Sequence, residues 1–231
     1  MVSVSSRKTG PRFLIAHNHA IFAEALRVYL EKTYTVVGVV LDGRALVTEA
    51  MRLRPDAIIV NTGMPLLNGL DAARRIKQRA PTIKFIFVTI QDNPDLAAAA
   101  LGLGPIGFVT KNSTGEELLK AIDHVLNGKP YVTSKLRPVN WFERKFRAPQ
   151  FSKALTSRQK DIVQLLAEGR PIKEVAGLLD LSVSTVDFHK HQIQESFNLH
   201  SNAALVLFAL RQGLIEVNPQ IFSFNTVCGS R

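Results

Sequence analysis

Ala57-Ile58-Ile59-Val60 runs directly into Asn61-Thr62-Gly63-Met64-Pro65, and Gly69-Leu70-Asp71-Ala72-Ala73 then opens a stretch of different periodicity. Four consecutive apolar, mostly β-branched residues have the length of a strand buried on both faces. Gly69–Ala80 carries apolar residues at helical spacing. The same alternation extends in both directions. Apolar runs recur at Phe13–Ala16, Thr35–Val40, Phe85–Thr89 and Ile106–Thr110. Helical patterns fall between and after them, at Ile21–Leu30, Ala45–Leu53, Leu96–Leu101 and Glu116–Asn127. In the first of these, Ile21, Phe22, Ala25, Leu26 and Leu30 are expected on one face. Gly128 is a helix stop. Five strands alternating with five helices predict an α/β fold, a doubly wound five-stranded parallel sheet of flavodoxin-like type. In such a sheet, functional groups collect at the carboxyl ends of the strands.

The alternation stops at Lys129-Pro130. Residues 134–152 hold Pro138 and Pro149, an excess of Lys and Arg, and Trp141, Phe142 and Phe146. They are expected to form a basic, aromatic-containing linker. From Thr156 the pattern is purely helical, with helices expected near 157–168, 172–179, 183–197 and 202–212. The expected division is a flexible N-terminus at 1–11, the α/β domain at 12–133, the linker at 134–152, an all-α four-helix domain at 153–216 and a tail at 217–231. The tail carries Phe222 and Phe224, to which the sequence assigns no role.

The chain has 231 residues and a formal net charge of +10. Residues 1–133 hold 16 Lys+Arg and 11 Asp+Glu, and residues 134–231 hold 13 and 8, so each part is +5. This balance favours an anionic partner without saying which part binds it. Cys228 is the only cysteine. It excludes a disulfide framework or a cysteine zinc site within one chain. No apolar run approaches the ~18 residues of a membrane span. The apolar stretch after the basic N-terminus is too short for a signal-peptide core. A cytoplasmic protein is expected.

Asp180-Leu181-Ser182 joins two short helical patterns, the second the longer, which is a helix-turn-helix arrangement. Ser182 or Ser184 can cap the second helix. On a helical wheel Val186, Ile193 and Phe197 form the core face, with His189 beside them as a hydrogen-bonded structural histidine. Ser184, Phe188, His191 and Glu195 point the other way, flanked by Asp187, Gln192 and Gln194. An exposed Phe188 can meet a thymine methyl, while His191, Gln194 and Asp187 can reach base edges. Lys173, Lys190 and the hydroxyls of Ser182, Ser184 and Thr185 suit phosphates.

From Leu155-Thr156-Ser157-Arg158-Gln159 to Leu214-Ile215 the chain resembles the LuxR-type helix-turn-helix domain. The matching pieces are Leu165-Leu166-Ala167-Glu168-Gly169, Lys173-Glu174-Val175-Ala176, Leu181-Ser182-Val183-Ser184-Thr185-Val186, His189, Ile193, and Ala209-Leu210-Arg211-Gln212-Gly213-Leu214-Ile215. The resemblance implies that helix 183–197 enters the major groove of double-stranded DNA. It also implies a homodimer on two half-sites about one helical turn apart. Helix 202–212 and the Leu96–Leu101 face are both candidate dimer surfaces. Departures are Ser196 for a basic residue, Asn198 for Gly, Asp161 for Glu, and Asp187 where Lys is frequent. Residues 152–215 hold seven Lys+Arg and six Asp+Glu, so this domain is barely basic.

Residues 12–128 resemble the receiver domain of NarL/FixJ-type response regulators. Asn61-Thr62-Gly63-Met64-Pro65, Gly69-Leu70, Thr89, Gly107-Phe108 and Lys111 carry the match. A receiver of this kind in a two-component system accepts a phosphoryl group on an aspartate, beside a Mg²⁺ held by acidic residues. The resemblance puts Asn61 at the nucleophile position and His17 and Asn18 at the two metal-site positions. All three acids are absent. An amide forms no acyl phosphate, and three neutral groups make a poor Mg²⁺ site. Thr89, Lys111 and the switch aromatic, as Phe108, remain. Lys111 is left with Asn61 or the backbone to hydrogen-bond, and the sequence does not choose between them. The expectation is an atypical receiver acting without aspartyl phosphorylation, with no enzymatic activity, no metal and no cofactor. His17-Asn18-His19 also admits a transition-metal pair or a nuclease motif. His19 matches a family histidine that needs no metal, and the acidic partners of a nuclease are missing.

The leading expectation is therefore a dimeric DNA-binding transcription regulator. RNA polymerase and a small-molecule or protein ligand of the receiver-like domain are further partners this reading admits. The alternative is an interaction protein that modulates another regulator and binds little DNA itself. A third reading is a receiver phosphorylated on Thr62 or Thr89.

Overall fold

The computed structural model describes residues 10–90, 94–134 and 155–216. The N-terminus at 1–9, most of the expected linker and the tail from 217 lie outside the described residues.

The first module follows the order β1 (Arg12–Ala16), α1 (Ala20–Leu30), β2 (Thr35–Val40), α2 (Gly43–Leu53), β3 (Ala57–Asn61), α3 (Gly69–Arg79), β4 (Lys84–Thr89), α4 (Pro94–Leu101), β5 (Gly107–Thr110), α5 (Gly115–Leu126) and β6 (Tyr131–Val132). The strands form one parallel sheet in the order β2-β1-β3-β4-β5-β6. The chain order reverses between β1 and β3, so their carboxyl ends frame the crevice where open α/β sheets place their sites. Two hydrophobic layers clothe the sheet. Leu14, Ile58, Val60, Phe85, Phe87 and Phe108 pack under α2, α3 and α4. Phe13, Ile15, Ile59, Ile86, Val88 and Val109 pack under α1 and α5. Phe13, Phe85, Phe87 and Phe108 are fully buried, and each contributes roughly 1.5–3 kcal/mol of burial.

Two details differ from the sequence reading. The sheet has six strands among the described residues, because Tyr131–Val132 pairs beside β5. Lys129-Pro130 ends the helical pattern, and two residues are too few to show a strand period. On α1, Ala23, Leu26 and Leu30 are the buried residues, while Ile21 is 88% exposed. The buried stripe thus passes through Ala23 and leaves the first residue of the expected face in solvent.

The β3–α3 loop is tied down tightly. Asn68 caps α3 by accepting the Asp71 N–H. The Gly43 N–H at the start of α2 donates to the Pro65 carbonyl. A β-carbon at Gly43 would lie 1.7 Å from the Leu67 carbonyl oxygen, so α2 approaches this loop only because residue 43 is glycine.

The second module comprises α6 (Ser157–Ala167), α7 (Ile172–Leu179), α8 (Val183–Ser196) and α9 (Asn202–Arg211). Thr156 and Gln159 form a capping box on α6. Asp180 ends α7 in the left-handed region at φ +53, and Ser182 caps α8. Val163, Ile193, Leu205, Ala209 and Leu214 make one part of its core; Ile162, Leu165, Val175, Leu179 and Val186 make the other.

Candidate functional site

At the carboxyl ends of β1, β3, β4 and β5 the side chains of Asn18, Asn61, Thr62, Thr89 and Lys111 converge. Asn61 is 1% exposed, and its Nδ2 donates to Asn18 Oδ1 at 2.9 Å. Thr62 Oγ1 lies 2.7 Å from Thr89 Oγ1. The Lys111 backbone N–H donates to the Thr89 carbonyl, which fixes the lysine beside β4. His17 is buried, with Nδ1 accepting the His19 N–H at 2.9 Å and its ring stacked on Phe22. An accepting Nδ1 makes this a neutral imidazole with its proton on Nε2. Burial foremost, then the charges of Lys111 and His19, hold the His17 pKa down to about 3. Buried Nε2 of His17 and Oδ1 of Asn61 have no hydrogen-bond partner among the described residues.

One pocket residue lies outside both resemblance motifs. Glu216, just after the last turn of the helical module, places its carboxylate in this cluster. Its Oε1 lies 2.7 Å from Thr62 Oγ1, 3.1 Å from the Gly63 N and 3.3 Å from Thr89 Oγ1. Its Oε2 accepts from Asn61 Nδ2 at 3.2 Å. Lys111 Nζ lies 3.9 Å from the same carboxylate, whose side chain is 6% exposed. Thr62 has one hydroxyl proton for two neighbours. The carboxylate can only accept, so it takes that proton, and Thr89 donates in turn. Burial pushes the Lys111 ammonium down and the Glu216 charge opposes it. The expected choice for Lys111 between Asn61 and the backbone is thus corrected: its ammonium pairs with Glu216 and sits over the Phe22 ring.

These groups do not suit Mg²⁺. Asn18 Oδ1 is taken by Asn61, Asn61 presents its amide N–H groups, and Lys111 places a cation alongside. Hard cations take oxygen ligands, mainly carboxylates. His17 and His19 do not form a metal pair either, since one is buried against Phe22 and the other exposed. No group of three or more potential His, Cys, Asp or Glu ligands occurs among the described residues. Phe108 is not brought to the polar cluster. It is fully buried against Phe87 in the sheet core.

Further contacts join the two modules. Leu66, at φ +64, packs on the α6–α7 core, and its N–H is accepted by Glu168 at 3.1 Å. Gln164 accepts the Asn68 N–H and donates to the Met64 carbonyl. Arg75 Nη2 contacts both Asp161 oxygens at 2.7 Å. Arg44 donates to the Leu178 carbonyl.

This docking uses α6, α7 and the end of the module, and leaves α8 uncovered. Phe188 is 64% exposed, as its place opposite Val186 and Ile193 requires. Ser182, Ser184, His191 and Lys173 are exposed; Thr185, Asp187, Lys190 and Gln194 are half-buried. Ser182, not Ser184, is the cap: its Oγ accepts the Thr185 N–H and lies within hydrogen-bond distance of the Ser184 and Thr185 hydroxyls. His191 Nε2 lies 3.6 Å from Asp187. His189 departs from expectation, since its buried Nδ1 has no hydrogen-bond partner among the described residues and its ring meets Phe188 edge-on.

Comparison with known proteins agrees with this geometry. Residues 13–123 match the response regulator receiver domain, and residues 153–209 match the bacterial regulatory proteins of the luxR family. The oxygen regulatory protein NreC of Staphylococcus epidermidis is 32% identical over 216 residues, covering 89% of this chain and 99% of that protein. NreC of Staphylococcus haemolyticus is 31% identical over 215 residues, with the same coverage. The chain belongs to the NarL/FixJ-type response regulators. Among solved structures, RcsB of Salmonella typhimurium superposes with a TM-score of 0.61 at 24% identity, covering 86% of this chain and 96% of that one. RcsB from Salmonella enterica serovar Typhimurium, bound to promoter rprA in the presence of phosphomimetic BeF3−, gives 0.59 at 24% identity, with 86% and 98% coverage. The response regulator is a DNA-binding transcription regulator, a receiver module followed by a helix-turn-helix module. No helix among its described residues is long and apolar enough to cross a membrane.

The sequence reading missed Glu216 altogether, quoted Gly63 only as part of the receiver motif, and named Thr62 only as an alternative phosphoacceptor. The available signal was chemical. Three acids are missing from a pocket that keeps Lys111 and two hydroxyls, which leaves a cationic cavity needing an anion.

Proposed function

We propose that this response regulator binds DNA as a dimer without aspartyl phosphorylation. Helix α8 enters the major groove at each of two half-sites. Phe188, His191, Asp187 and Gln194 face the base edges, and Lys173, Lys190, Ser182, Ser184 and Thr185 face phosphates. The observation that carries the reading is the exposure of Phe188 while the receiver module is docked elsewhere. RcsB, whose fold the chain shares, has been solved as dimers on DNA. For the dimer surface, α9 presents Leu207 at 56% exposure, whereas Leu96 on α4 is buried and borders the cleft to Leu214 of the helical module. We favour α9.

Phosphorylation independence rests on Asn61. Its amide is engaged by Asn18 and Glu216, and no aspartate stands at the carboxyl ends of β1 or β3 to take a phosphoryl group. The proposed modules are 12–133 and 153–216, with 134–152 between; the family matches at 13–123 and 153–209 support two modules. It acts in the cytoplasm, performs no reaction of its own, needs no cofactor, and works on RNA polymerase at its promoters.

The test is selection of bound duplexes from random DNA by the purified chain with no phosphodonor. One enriched motif with two half-sites is expected. Phe188→Ala should then weaken binding by about tenfold, on the ~1–3 kcal/mol scale of one lost base contact. No enriched motif, with Phe188→Ala inert, would favour the interaction-protein reading, to which the weak basicity of the helical module lends support.

A further inference from the structure

The geometry points to a new role for the degenerate pocket: it is a carboxylate-binding site whose ligand is Glu216 of the same chain. This rests on the reading that the pocket carries no phosphoryl group.

Four groups donate to the carboxylate, and Thr89 backs one of them. The four are Asn61 Nδ2, the Thr62 hydroxyl, the Gly63 N–H and Lys111 Nζ; the Thr89 hydroxyl donates to Thr62 Oγ1 at 2.7 Å and lies 3.3 Å from the carboxylate. An oxyanion on a tetrahedral phosphorus and a planar carboxylate want the same partners, namely N–H and O–H groups backed by one cation. The pocket has kept those partners and dropped the acids. With aspartates at 17, 18 and 61, Glu216 would enter a site already holding three negative charges against Lys111 alone. With His17 neutral and Asn18 and Asn61 as amides, one carboxylate meets one ammonium. The neutral groups at 17, 18 and 61 and the acid at 216 are therefore complementary in charge.

Space agrees with charge. A β-carbon on Gly63 would lie 2.1 Å from Glu216 Cγ, so the loop accommodates the side chain only because residue 63 is glycine. Glu216 closes off the site from soluble anions and pins the end of the helical module to the receiver module. A family pocket that reads phosphorylation has become one that reads its own chain. Release of Glu216 is then the opening step that phosphorylation no longer supplies.

Backbone amide exchange on the full-length protein tests this, read at Gly63 and Leu66. Glu216→Ala and Gly63→Ala each remove the ligand, the second without deleting any polar group. Exchange at Leu66 should rise at least tenfold in both, and at Gly63 in Glu216→Ala. Asn61→Asp restores an acid that this scaffold type tolerates, and repulsion should open the site equally. Pairing Asn61→Asp with Glu216→Gln exchanges the two groups, lets the introduced amide donate to the introduced carboxylate, and should restore protection. Unchanged exchange in Glu216→Ala and Gly63→Ala would overturn the assignment. So would failure of the reciprocal pair to recover when its thermal melt is native. A hydroxylamine-sensitive phosphoryl adduct on wild type, with Glu216-dependent protection intact, would instead sink phosphorylation independence and leave the carboxylate site standing.

Discussion

His17 shows at the residue scale what replacing an acid does. A carboxylate there would be ionised and hydrated or metal-bound; the imidazole is buried, neutral and packed on Phe22. Its pKa falls from 6.5 to about 3. The sign of the linkage follows. Below pH 6.5 the unfolded chain binds a proton that the native chain refuses, so stability is full above pH 6.5 and is lost as pH falls toward 3. The loss amounts to about 2 kcal/mol by about pH 5. Urea titrations at about pH 7 and about pH 5 measure it. His17→Gln should remove most of this acid-side loss; an unchanged slope would mean that another group carries it. Leu66 is a second residue whose backbone only its surroundings explain. A leucine at φ +64 is strained, and its side chain packs on the helical module while Glu168 holds its N–H. Asn198 takes φ +55 where the family has glycine, a conformation asparagine tolerates better than most residues. Asn198→Gly should raise thermal stability slightly.

At the scale of elements, the helix-turn-helix is built from local rules. Ser182 caps α8 through the Thr185 N–H, and Asp180 makes the left-handed exit from α7. Ser182→Ala should destabilise the helical module by ~1 kcal/mol, the usual cost of a lost N-cap, read as a lower melting temperature. Lys173 on α7 and Phe188 on α8 should part company in a salt titration of DNA binding. Lys173→Ala should lower the slope of log affinity against log salt by about 1 and weaken all duplexes alike. Phe188→Ala should leave the slope and lose discrimination. Elements were largely legible in the sequence because strand and helix periods are local. Apolar runs such as Ala57–Val60 marked the first five strands of the sheet, and Gly69 and Asp180-Leu181-Ser182 marked real boundaries. The failures were local too. Two residues at Tyr131–Val132 give no period to recognise, and Ile21 lies on the wheel with Phe22 yet faces solvent.

At the scale of the whole molecule, the modules meet through polar side chains that no periodicity announces. Asp161 and Gln164 are buried on α6, and the Glu216 side chain is 6% exposed in the pocket, yet each belongs to a residue class normally found on surfaces. Their partners Arg75, Asn68 and Asn61 lie 86, 96 and 155 residues away. A single sequence carries no signal across such separations beyond chemical complementarity. Arg75→Ala should loosen the docking, because Asp161 then stays buried without its cation. Increased exchange at the Asn68 N–H would register it. No change there would mean that the Gln164 bridge alone holds that edge. The site residues divide the same way. Those inside one motif lie where the pattern put them, Asn61 and Thr89 in the pocket and Phe188 on the exposed face of α8. The one that completes the pocket came from the other end of the chain.

On this reading DNA binding by the regulator owes nothing to a phosphoryl group on residue 61. The most direct measurement is the dissociation constant for a selected duplex, taken on the full-length protein with and without a small-molecule phosphodonor and Mg²⁺, with intact mass read on the same samples. Equal affinities within about twofold and no added mass are expected. A phosphorylated species that is lost to hydroxylamine, accompanied by a tenfold or greater gain in affinity, would contradict it.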